Sequence, residues 1–391
     1  MRVLYFSDNT SGHNQRFLEK LSQSGLEVWF LNPTTDCLAE NWLPDGVSWI
    51  RSTRILEANS SPAHFAEFLP QFQRVLKEVN PDFVHAGPIQ TCGYLTALSQ
   101  FHPWLLSSWG SDLLLHARQN PEWEQATQLA LTNADSFFCD CDTVRAEAKR
   151  WAGLPDSRIV QFPWGLRKGV FGPSGALPPE SLYKREPGTH VFLSTRSWEP
   201  IYGIDTLLRA FADAYQRDDS LRLLLLGNGS EAEKVQEFVR SHGLSEIIRM
   251  PGSYNGDEMP KWFRAVDSYV SCARSDGTSV SLLEAMATGL PVIVTDIPSN
   301  REWAVEERNG WLAPADSPTE FADCFLRAAH LGSASRKLIS DRNQRVIEER
   351  ADWDRNFPRL LEMYERMTGL SIGGSEIESG EKRDADPTTD L

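Results

Sequence analysis

The stretch SDGTSVSLLEAMATGLPVIVTD, residues 275–296, carries two acids that are separated by seven residues. Asp276 follows an apparent strand, and Glu284 lies in a predicted helix over 279–289. The apolar run PVIVTD (291–296) is typical of the next strand. A strand, a helix and a strand in this order predict a parallel β-α-β unit, which places Asp276 beyond the carboxyl edge of a sheet.

The same alternation extends outward through most of the chain. Short apolar runs such as RVLYFS (2–7) and VFLSTR (191–196) alternate with amphipathic stretches, which predicts parallel sheets covered by helices on both faces. A segment rich in proline and glycine, 172–190, interrupts the pattern and is the best candidate linker. We therefore predict two doubly wound, Rossmann-like α/β domains, with ligands bound in the cleft between them. The predicted boundaries are a first domain at 1–173, a linker at 174–190, a second domain at 191–350, a C-terminal helix at 351–370 and a disordered acidic tail at 371–391.

The composition argues against several classes of function. The formal charge is -15, with 39 basic and 54 acidic residues, and no basic stripe is present, so we expect no nucleic-acid partner. No apolar run reaches the ~18–20 residues of a membrane span, although peripheral membrane contact stays open. The six cysteines lie in apparently buried elements, and the N-terminus reads as a strand rather than a signal peptide. We expect a cytoplasmic protein.

The loop that contains Asp276 has the residues of an anion site. Thr278 or Ser279 can cap the helix that follows, whose first N–H groups and positive dipole end attract anions. Gly277 allows a ligand to approach the backbone, and the two acids could accept hydrogen bonds from sugar or ribose hydroxyls. In the alternative reading, Asp276 is an ordinary loop residue and Glu284 a solvated helical one. The residues alone leave the two readings nearly even.

Five further residues lie at or near predicted strand ends. Arg196 suits phosphate because its planar fork donates two hydrogen bonds, and its position at a strand end modestly favours this reading over a surface arginine paired with Glu199. Gly12 lies between the first strand and helix, where a phosphate-facing turn is expected, but the G-x-G-x-x-G spacing of a dinucleotide site is absent. Trp109 could stack on a sugar or pack in a core, with Asp112 close behind it. His85 could face the cleft or be a satisfied polar side chain.

At these residues the chain resembles the retaining, GT-B-fold glycosyltransferases of glycosyltransferase family 4, over roughly residues 1–370. The most specific match is an acid-x7-acid pattern that runs into LEAMA-x-G-x-PV, here Asp276 and Glu284 in SDGTSVSLLEAMATGLPV. The segments RIVQFPWGLRKGVFGP (158–173) and LLLLGNGS (223–230) also fit. The resemblance implies a GT-B fold, in which two Rossmann-like domains face a central cleft and a C-terminal helix crosses back to the first domain.

The resemblance also implies a role for each matching residue. Glu284 would bind the ribose of a nucleotide-sugar donor, Asp276 would hold hydroxyls of the transferred sugar, and the N–H groups of 277–279 would face the sugar and phosphates. Arg196 would neutralise the donor phosphate, and Gly12 would let the backbone approach it. Such enzymes usually need no metal and no cofactor. The sugar would pass to a hydroxyl acceptor on one face, through an oxocarbenium-like state.

Three positions depart from the family pattern. The first acid is Asp276 where glutamate is usual, Tyr202 in IYGID replaces a lysine, and Trp109 replaces a histidine. The missing ammonium removes one phosphate partner, which places Tyr202 on the donor side of the site. Either Arg196 suffices, or the donor carries less phosphate charge, or another cation compensates: Arg274 or Arg301.

These observations favour a retaining transferase that moves a hexose-type sugar from a nucleotide donor to a hydroxyl acceptor. The alternative is a sugar-nucleotide-binding partner of a glycan-assembly complex that has lost its chemistry with the lysine. A nucleotide-sugar epimerase is disfavoured by the acid-x7-acid pattern, and a nicotinamide oxidoreductase by the missing G-x-G-x-x-G.

Overall fold

Two parallel β-sheets organise the protein, as seen in a computed structural model that describes residues 1–57, 60–254 and 256–372. The predicted acidic tail lies outside the described residues from 373 onward. The first sheet contains β1 (Arg2–Ser7), β2 (Glu27–Leu31), β3 (Val47–Ile50), β4 (Phe83–Gly87), β5 (Trp104–Ser107), β6 (Ser136–Cys139) and β7 (Ile159–Gln161). The strand order is β3-β2-β1-β4-β5-β6-β7, and every pairing is parallel.

The second sheet has the same doubly wound arrangement. Its strands are β8 (His190–Ser194), β9 (Leu221–Leu226), β10 (Ile248–Gly252), β11 (Ser268–Ser271), β12 (Val292–Thr295) and β13 (Gly310–Ala313). They lie in the order β10-β9-β8-β11-β12-β13, again in parallel. In both sheets the first strand of the domain is central and the order reverses beside it, which is where doubly wound sheets bind ligands.

Helices cover both faces of both sheets. Those of the first half are α1 (Gly12–Gln23), α2 (Pro62–Ala66), α3 (Leu69–Val79), α4 (Tyr94–Ser99), α5 (Ser111–Leu114), α6 (Pro121–Asn133) and α7 (Asp142–Ala152). Those of the second half are α8 (Ile204–Arg217), α9 (Ala232–Ser241), α10 (Met259–Arg264), α11 (Val280–Ala287), α12 (Pro298–Arg301), α13 (Pro318–Ala329), α14 (Ser333–Arg350), α15 (Trp353–Asn356) and α16 (Pro358–Thr368). None of the helices in the described residues is long and apolar enough to cross a membrane.

Alternate residues of the strands enter separate hydrophobic cores. On β1, Leu4 and Phe6 pack into one cluster, whereas Val3 and Tyr5 pack into a second cluster on the other face. This follows from the two-residue period of a strand, because both faces of a parallel sheet are covered. The α/β fold class predicted from the sequence is confirmed.

The chain passes between the two halves twice, at neighbouring points. The amide of Leu166 donates to the carbonyl of Ala351 (2.7 Å), and the amide of Trp353 donates to the carbonyl of Leu166 (3.2 Å). After the second crossing, α16 packs on the first sheet, with the Tyr364 ring 4.4 Å from that of Phe83. The last helix therefore completes the core of the first half, as the resemblance implied.

The sequence missed one edge strand in each sheet, β3 and β13. Strand β3 is only partly buried, and β13 begins with a glycine, so neither carries a strong strand pattern. The amphipathic stretch FAEFLPQFQRVLKEVN (65–80) predicts a single helix, but the structure has two helices there, α2 and α3. Pro70 at the start of α3 cannot donate the helical hydrogen bond and would clash with the preceding turn, so the helix breaks there.

Candidate functional site

The carboxyl ends of the two sheets face each other, and the loops that follow β5 and β11 meet. A Cβ atom on Gly110 would lie 3.2 Å from the Cα of Gly277. Gly110 also has φ of +82°, a left-handed conformation that side chains other than glycine rarely adopt. Val280 at the start of α11 packs against the aromatic cluster of the first half. The candidate site is the cleft around this contact.

Arg196, which follows β8, is the centre of the cluster on the second half. Its Nη2 lies 2.8 Å from Asp276 Oδ2, and the two side chains are only 13% and 18% exposed. Its Nη1 donates to Ser279 Oγ at 2.9 Å. Burial works against the charge of Arg196, but the attraction of Asp276 and the neighbouring tyrosines outweighs it and raises the pKa. The structure thus brings together three residues that the sequence assigned to one site.

Tyr202, at the position of the usual lysine, covers this guanidinium. The Cζ atom of Arg196 lies 4.0 Å from the centre of the Tyr202 ring, within the range of a cation–π contact. The two alternative cations are engaged elsewhere. Arg274 pairs with Asp205 and Asp316, and Arg301 pairs with Asp296. Neither arginine replaces the missing ammonium beside Arg196.

Glu284 lies on α11 and is partly exposed in the cleft. Burial raises its pKa to about 8, and the charge of Arg16 on α1 partly opposes this shift across the cleft. Arg16 itself is held by the Trp164 carbonyl, to which its Nη2 donates at 2.9 Å. Gly12 begins α1, and a Cβ there would meet no atom within 4 Å, so the space in front of it is open.

An aromatic wall closes the side of the cleft that the first half provides. The Trp109 and Trp164 rings stack at 5.1 Å with an angle of 10°, and the His13 ring lies 4.9 Å from that of Trp164. Trp109 is partly exposed and remains a candidate sugar-facing residue. Burial, followed by the charge of Arg16, lowers the pKa of His13 to about 4, so this imidazole is neutral. His13 and Arg16 were not predicted from the sequence, although both lie close behind Gly12 on α1.

Two residues assigned to the sugar-facing side lie in the protein interior, which corrects that prediction. His85 is only 1% exposed, within β4, and its two ring nitrogens are bonded to Tyr364 and Ser107. Asp112 is only 2% exposed, and its carboxylate accepts hydrogen bonds from the Ser108 hydroxyl (2.6 Å) and from three backbone amides, those of 89, 109 and 113. Both side chains hold the first half together and do not face the cleft.

Thr278 is likewise not free to contact a donor. Its amide donates to Asp140 Oδ2 (2.7 Å), and its hydroxyl donates to the Asp140 carbonyl (2.9 Å). Asp140, which follows β6, was missed from the sequence, although an acid directly after a buried strand is the same signal that marked Asp276. Ser279 caps α11 by accepting from the Leu282 amide. The amides of 279–281 donate to no acceptor within the part of the chain that the structure describes, and they remain open to an anion.

The arrangement supplies what is needed to hold an anionic ligand that carries hydroxyl groups. Arg196 and the free amides can bind phosphate, while Asp276 and Glu284 can accept hydrogen bonds from hydroxyls. Within residues 1–57, 60–254 and 256–372, no group of three or more His, Cys, Asp or Glu side chains is placed to hold a metal ion. Metal independence stays a prediction.

Two family descriptions match the chain, one on each half. "Glycosyl transferase 4-like" matches residues 2–141, and "Glycosyl transferases group 1" matches residues 188–330. The second match contains Arg196, Asp276 and Glu284. Together the two matches cover both sheets.

Curated relatives carry glycosyltransferase names. The chain is 24% identical over 269 residues to D-inositol 3-phosphate glycosyltransferase of Pseudarthrobacter chlorophenolicus, an alignment of 67% of this chain and 64% of the relative. It is 28% identical over 237 residues to phosphatidyl-myo-inositol mannosyltransferase of Mycobacterium leprae, with 59% of each chain covered. Both alignments span less than two thirds of the relative's own length.

Solved structures share the architecture over nearly the whole chain. Sucrose-phosphate synthase from Thermosynechococcus elongatus superposes with a TM-score of 0.80 at 16% identity, covering 95% of this chain and 100% of that one. HepE of Anabaena, solved with UDP-glucose, gives a TM-score of 0.75 at 14% identity, covering 95% and 100%. The family matches, the named relatives and this shared fold show that the chain belongs to the group 1 glycosyltransferases and has the GT-B fold.

Proposed function

We propose that this glycosyltransferase moves a sugar from a nucleotide-sugar donor to a hydroxyl acceptor with retention of anomeric configuration. The observation that carries the proposal is the buried Arg196, paired with Asp276 at 2.8 Å beside the start of α11. The open amides of 279–281 lie at the same helix start. A guanidinium, free helical amides and a carboxylate at one place suit a phosphate joined to a hydroxylated sugar.

The donor lies across the second half of the cleft in this proposal. The ribose of the donor binds near Glu284. The phosphate binds at the start of α11, beside Arg196, and hydroxyls of the transferred sugar donate hydrogen bonds to Asp276. HepE was solved with UDP-glucose, which supports a nucleotide-sugar donor for this fold. The names of the relatives, which include a mannosyltransferase, support a hexose.

The proposed reaction breaks the bond between the anomeric carbon and the phosphate oxygen, and the electron pair leaves with the phosphate. Arg196 stabilises the negative charge that develops on this leaving group. The acceptor hydroxyl attacks from the same face, its oxygen forms the new glycosidic bond, and its proton passes to the departing phosphate. The acceptor approaches from the first half, where the partly exposed ring of Trp109 offers a flat aromatic surface, backed by the stacked and buried Trp164. We propose that protein cations replace a metal ion in this step.

A donor panel tests the proposal directly. Purified protein is titrated with UDP-, GDP-, ADP-, TDP- and CMP-sugars by calorimetry, and nucleotide release is followed with and without added acceptors. We expect one donor class to bind and to be consumed, with an α-anomeric donor giving an α-linked product.

The matched variants are Asp276→Ala in the cleft and Asp323→Asn, an exposed acid of α13 that pairs with Arg217. The first should abolish transfer while the protein stays folded, and the second should leave transfer unchanged. If no nucleotide sugar binds at millimolar concentration, the proposal fails. Binding without turnover on any acceptor would favour a sugar-nucleotide-binding partner of a glycan-assembly complex.

A further inference from the structure

The buried carboxylate of Asp140 joins the two halves of the molecule. Its Oδ2 accepts from the Thr278 amide at 2.7 Å and from Trp164 Nε1 at 3.0 Å, and its carbonyl accepts from the Thr278 hydroxyl at 2.9 Å. The residue is only 2% exposed. Two of these three bonds, those with Thr278, connect the first half to the second. We call residues 276–279 of the second half the donor loop.

A second carboxylate, which belongs to the second half, accepts hydrogen bonds from the backbone of the first half beginning two residues after Asp140. Glu302, at the end of α12, accepts from the amides of Asp142 (3.2 Å) and Thr143 (3.3 Å) at the start of α7. The first N–H groups of a helix have no partner within the helix and favour a negative charge, which Glu302 supplies here. Residues 140–143 of the first half are therefore hydrogen-bonded to two segments of the second half, at Thr278 and at Glu302.

The donor loop is fixed by both halves, one residue after another. Asp276 and Ser279 are held by Arg196 from the second half, whereas Thr278 is hydrogen-bonded from the first half and Gly277 lies against Gly110. A Cβ on Gly277 would lie 2.7 Å from Asp140 Oδ2, closer than real contacts allow. The shape of the loop between Asp276 and the start of α11 thus depends on Asp140.

The hydrogen bonds between Asp140 and Thr278 do not occupy the amides that a donor phosphate would need. Asp140 takes the amide of Thr278, while the amides of 279–281 stay open in the described part of the chain. The contact is therefore compatible with a phosphate at the start of α11. If the two halves moved apart, the Thr278 amide and hydroxyl would lose their partners. The donor loop would then no longer hold Asp276 in a fixed position.

We propose that Asp140 is a positioning residue for sugar transfer: from the first half it holds the donor loop in the shape that places Asp276 on the sugar. The inference rests on the proposed function, because it assigns Asp140 to the same site. It predicts that the loop reaches its transfer-competent shape only when the halves are closed. Loss of Asp140 should therefore act on the rate of transfer and leave the binding of the nucleotide nearly unchanged.

A double-mutant cycle on Asp140→Ala and Gly277→Ala tests this coupling. Gly277 does not have a left-handed φ, so the added methyl conflicts with the Asp140 carboxylate rather than with the backbone conformation. Each single variant should lower kcat on the order of 100-fold, as displacement of a reacting group by about 1 Å does. The double variant should be no slower than Asp140→Ala alone, because the carboxylate that the methyl meets is gone.

Three readouts separate positioning from other roles. The affinity for the free nucleotide should stay within threefold of wild type in all variants, measured by calorimetry. Thr278→Val, which removes only the hydroxyl bond, should give a smaller loss of kcat and serves if Asp140→Ala does not fold. Asp156→Ala, an exposed acid after α7, should leave kcat unchanged.

A wild-type kcat for Asp140→Ala, or losses that multiply in the double variant, would overturn the inference while the donor site stands. A raised donor KM with an unchanged kcat would overturn it as well, because that pattern indicates a direct ligand of the donor. If the wild-type protein binds no nucleotide sugar, the proposed function fails, and the inference fails with it.

Discussion

The ring of Tyr202 lies over the guanidinium of Arg196, with its centre 4.0 Å from Arg196 Cζ. A lysine at this position would place a second cation beside the first. In this protein an aromatic ring covers the guanidinium instead, and Arg196 is already paired with Asp276. We therefore expect stabilisation of the donor phosphate to depend more strongly on Arg196.

Replacing Arg196 should therefore abolish most of the activity. Loss of one group that stabilises the charge developing in the transition state costs on the order of 100- to 1000-fold in rate, so we expect Arg196→Ala to lose at least this in kcat/KM. Arg196→Lys should recover only part, because an ammonium cannot bond Asp276 and Ser279 with a planar fork. The matched control is Arg217→Ala on the surface of α8. Steady-state kinetics within threefold of wild type for Arg196→Ala would contradict this role.

Changing Tyr202 should alter the preference of the enzyme among donors. Tyr202→Lys adds an ammonium next to Arg196, so the affinity for nucleoside diphosphates should rise relative to nucleoside monophosphates. Tyr202→Phe keeps the ring over the guanidinium and should behave nearly as wild type. Calorimetric titration with UDP and UMP, or the matching pair for the preferred base, measures the ratio. An unchanged ratio in Tyr202→Lys would place this residue away from the phosphates.

Tyr364→Phe should destabilise the protein without changing the affinity for the nucleotide. The Tyr364 hydroxyl bonds the His85 ring, and burial lowers the pKa of that ring to about 3, so a neutral imidazole would be left with a buried unsatisfied nitrogen. Such a loss costs about 1–3 kcal/mol. Chemical denaturation measures it, with Tyr215→Phe on α8 as the control. Equal stability of the two variants would show that the hydrogen bond adds nothing.

Glu284→Gln should change how stability depends on pH. The pKa of Glu284 is raised to about 8 in the folded protein, above its ordinary value of 4.5, so the folded state holds the proton more tightly. This contribution is fully present below pH ~4.5 and is lost as the pH rises through ~8. Gln does not ionise, so the Tm of the variant relative to wild type should increase between pH 5 and pH 8.

The control for this measurement is Glu320→Gln, an exposed acid of α13. Its Tm relative to wild type should stay level across the same pH range. A level difference for Glu284→Gln as well would mean that Glu284 is ionised in the folded protein at neutral pH.

The order of elements was predictable because both sheets are parallel and buried, which gives strong apolar runs separated by amphipathic helices. The two strands that escaped detection, β3 and β13, are sheet edges: partial exposure weakens the pattern of β3, and β13 is short and begins with a glycine. Pro70 indicates the break between α2 and α3, because proline is tolerated only in the first turn of a helix.

The site residues that follow strands of one sheet could be predicted from the sequence. Those that join the site through contacts between the two halves were harder to predict. Arg196, Asp276 and Ser279 come together because each follows a strand of the same sheet at its carboxyl edge. His85 was misplaced because it lies within β4 rather than after it, and the direction of its side chain depends on the register. Asp140 joined the site only through contacts between distant parts of the chain, which no spacing within one segment indicates.

The return of α16 to the first sheet has a consequence for synthesis on the ribosome. The face that carries Phe83 and Phe138 is covered by Tyr364 and Met363, which emerge only after the whole second half has been made. The N-terminal half is translated first but can complete its core only at the end of synthesis. Until then its aromatic face is exposed and accessible to chaperones. A fragment that ends at β7 would retain that open face permanently, so we expect it to aggregate unless α16 is supplied.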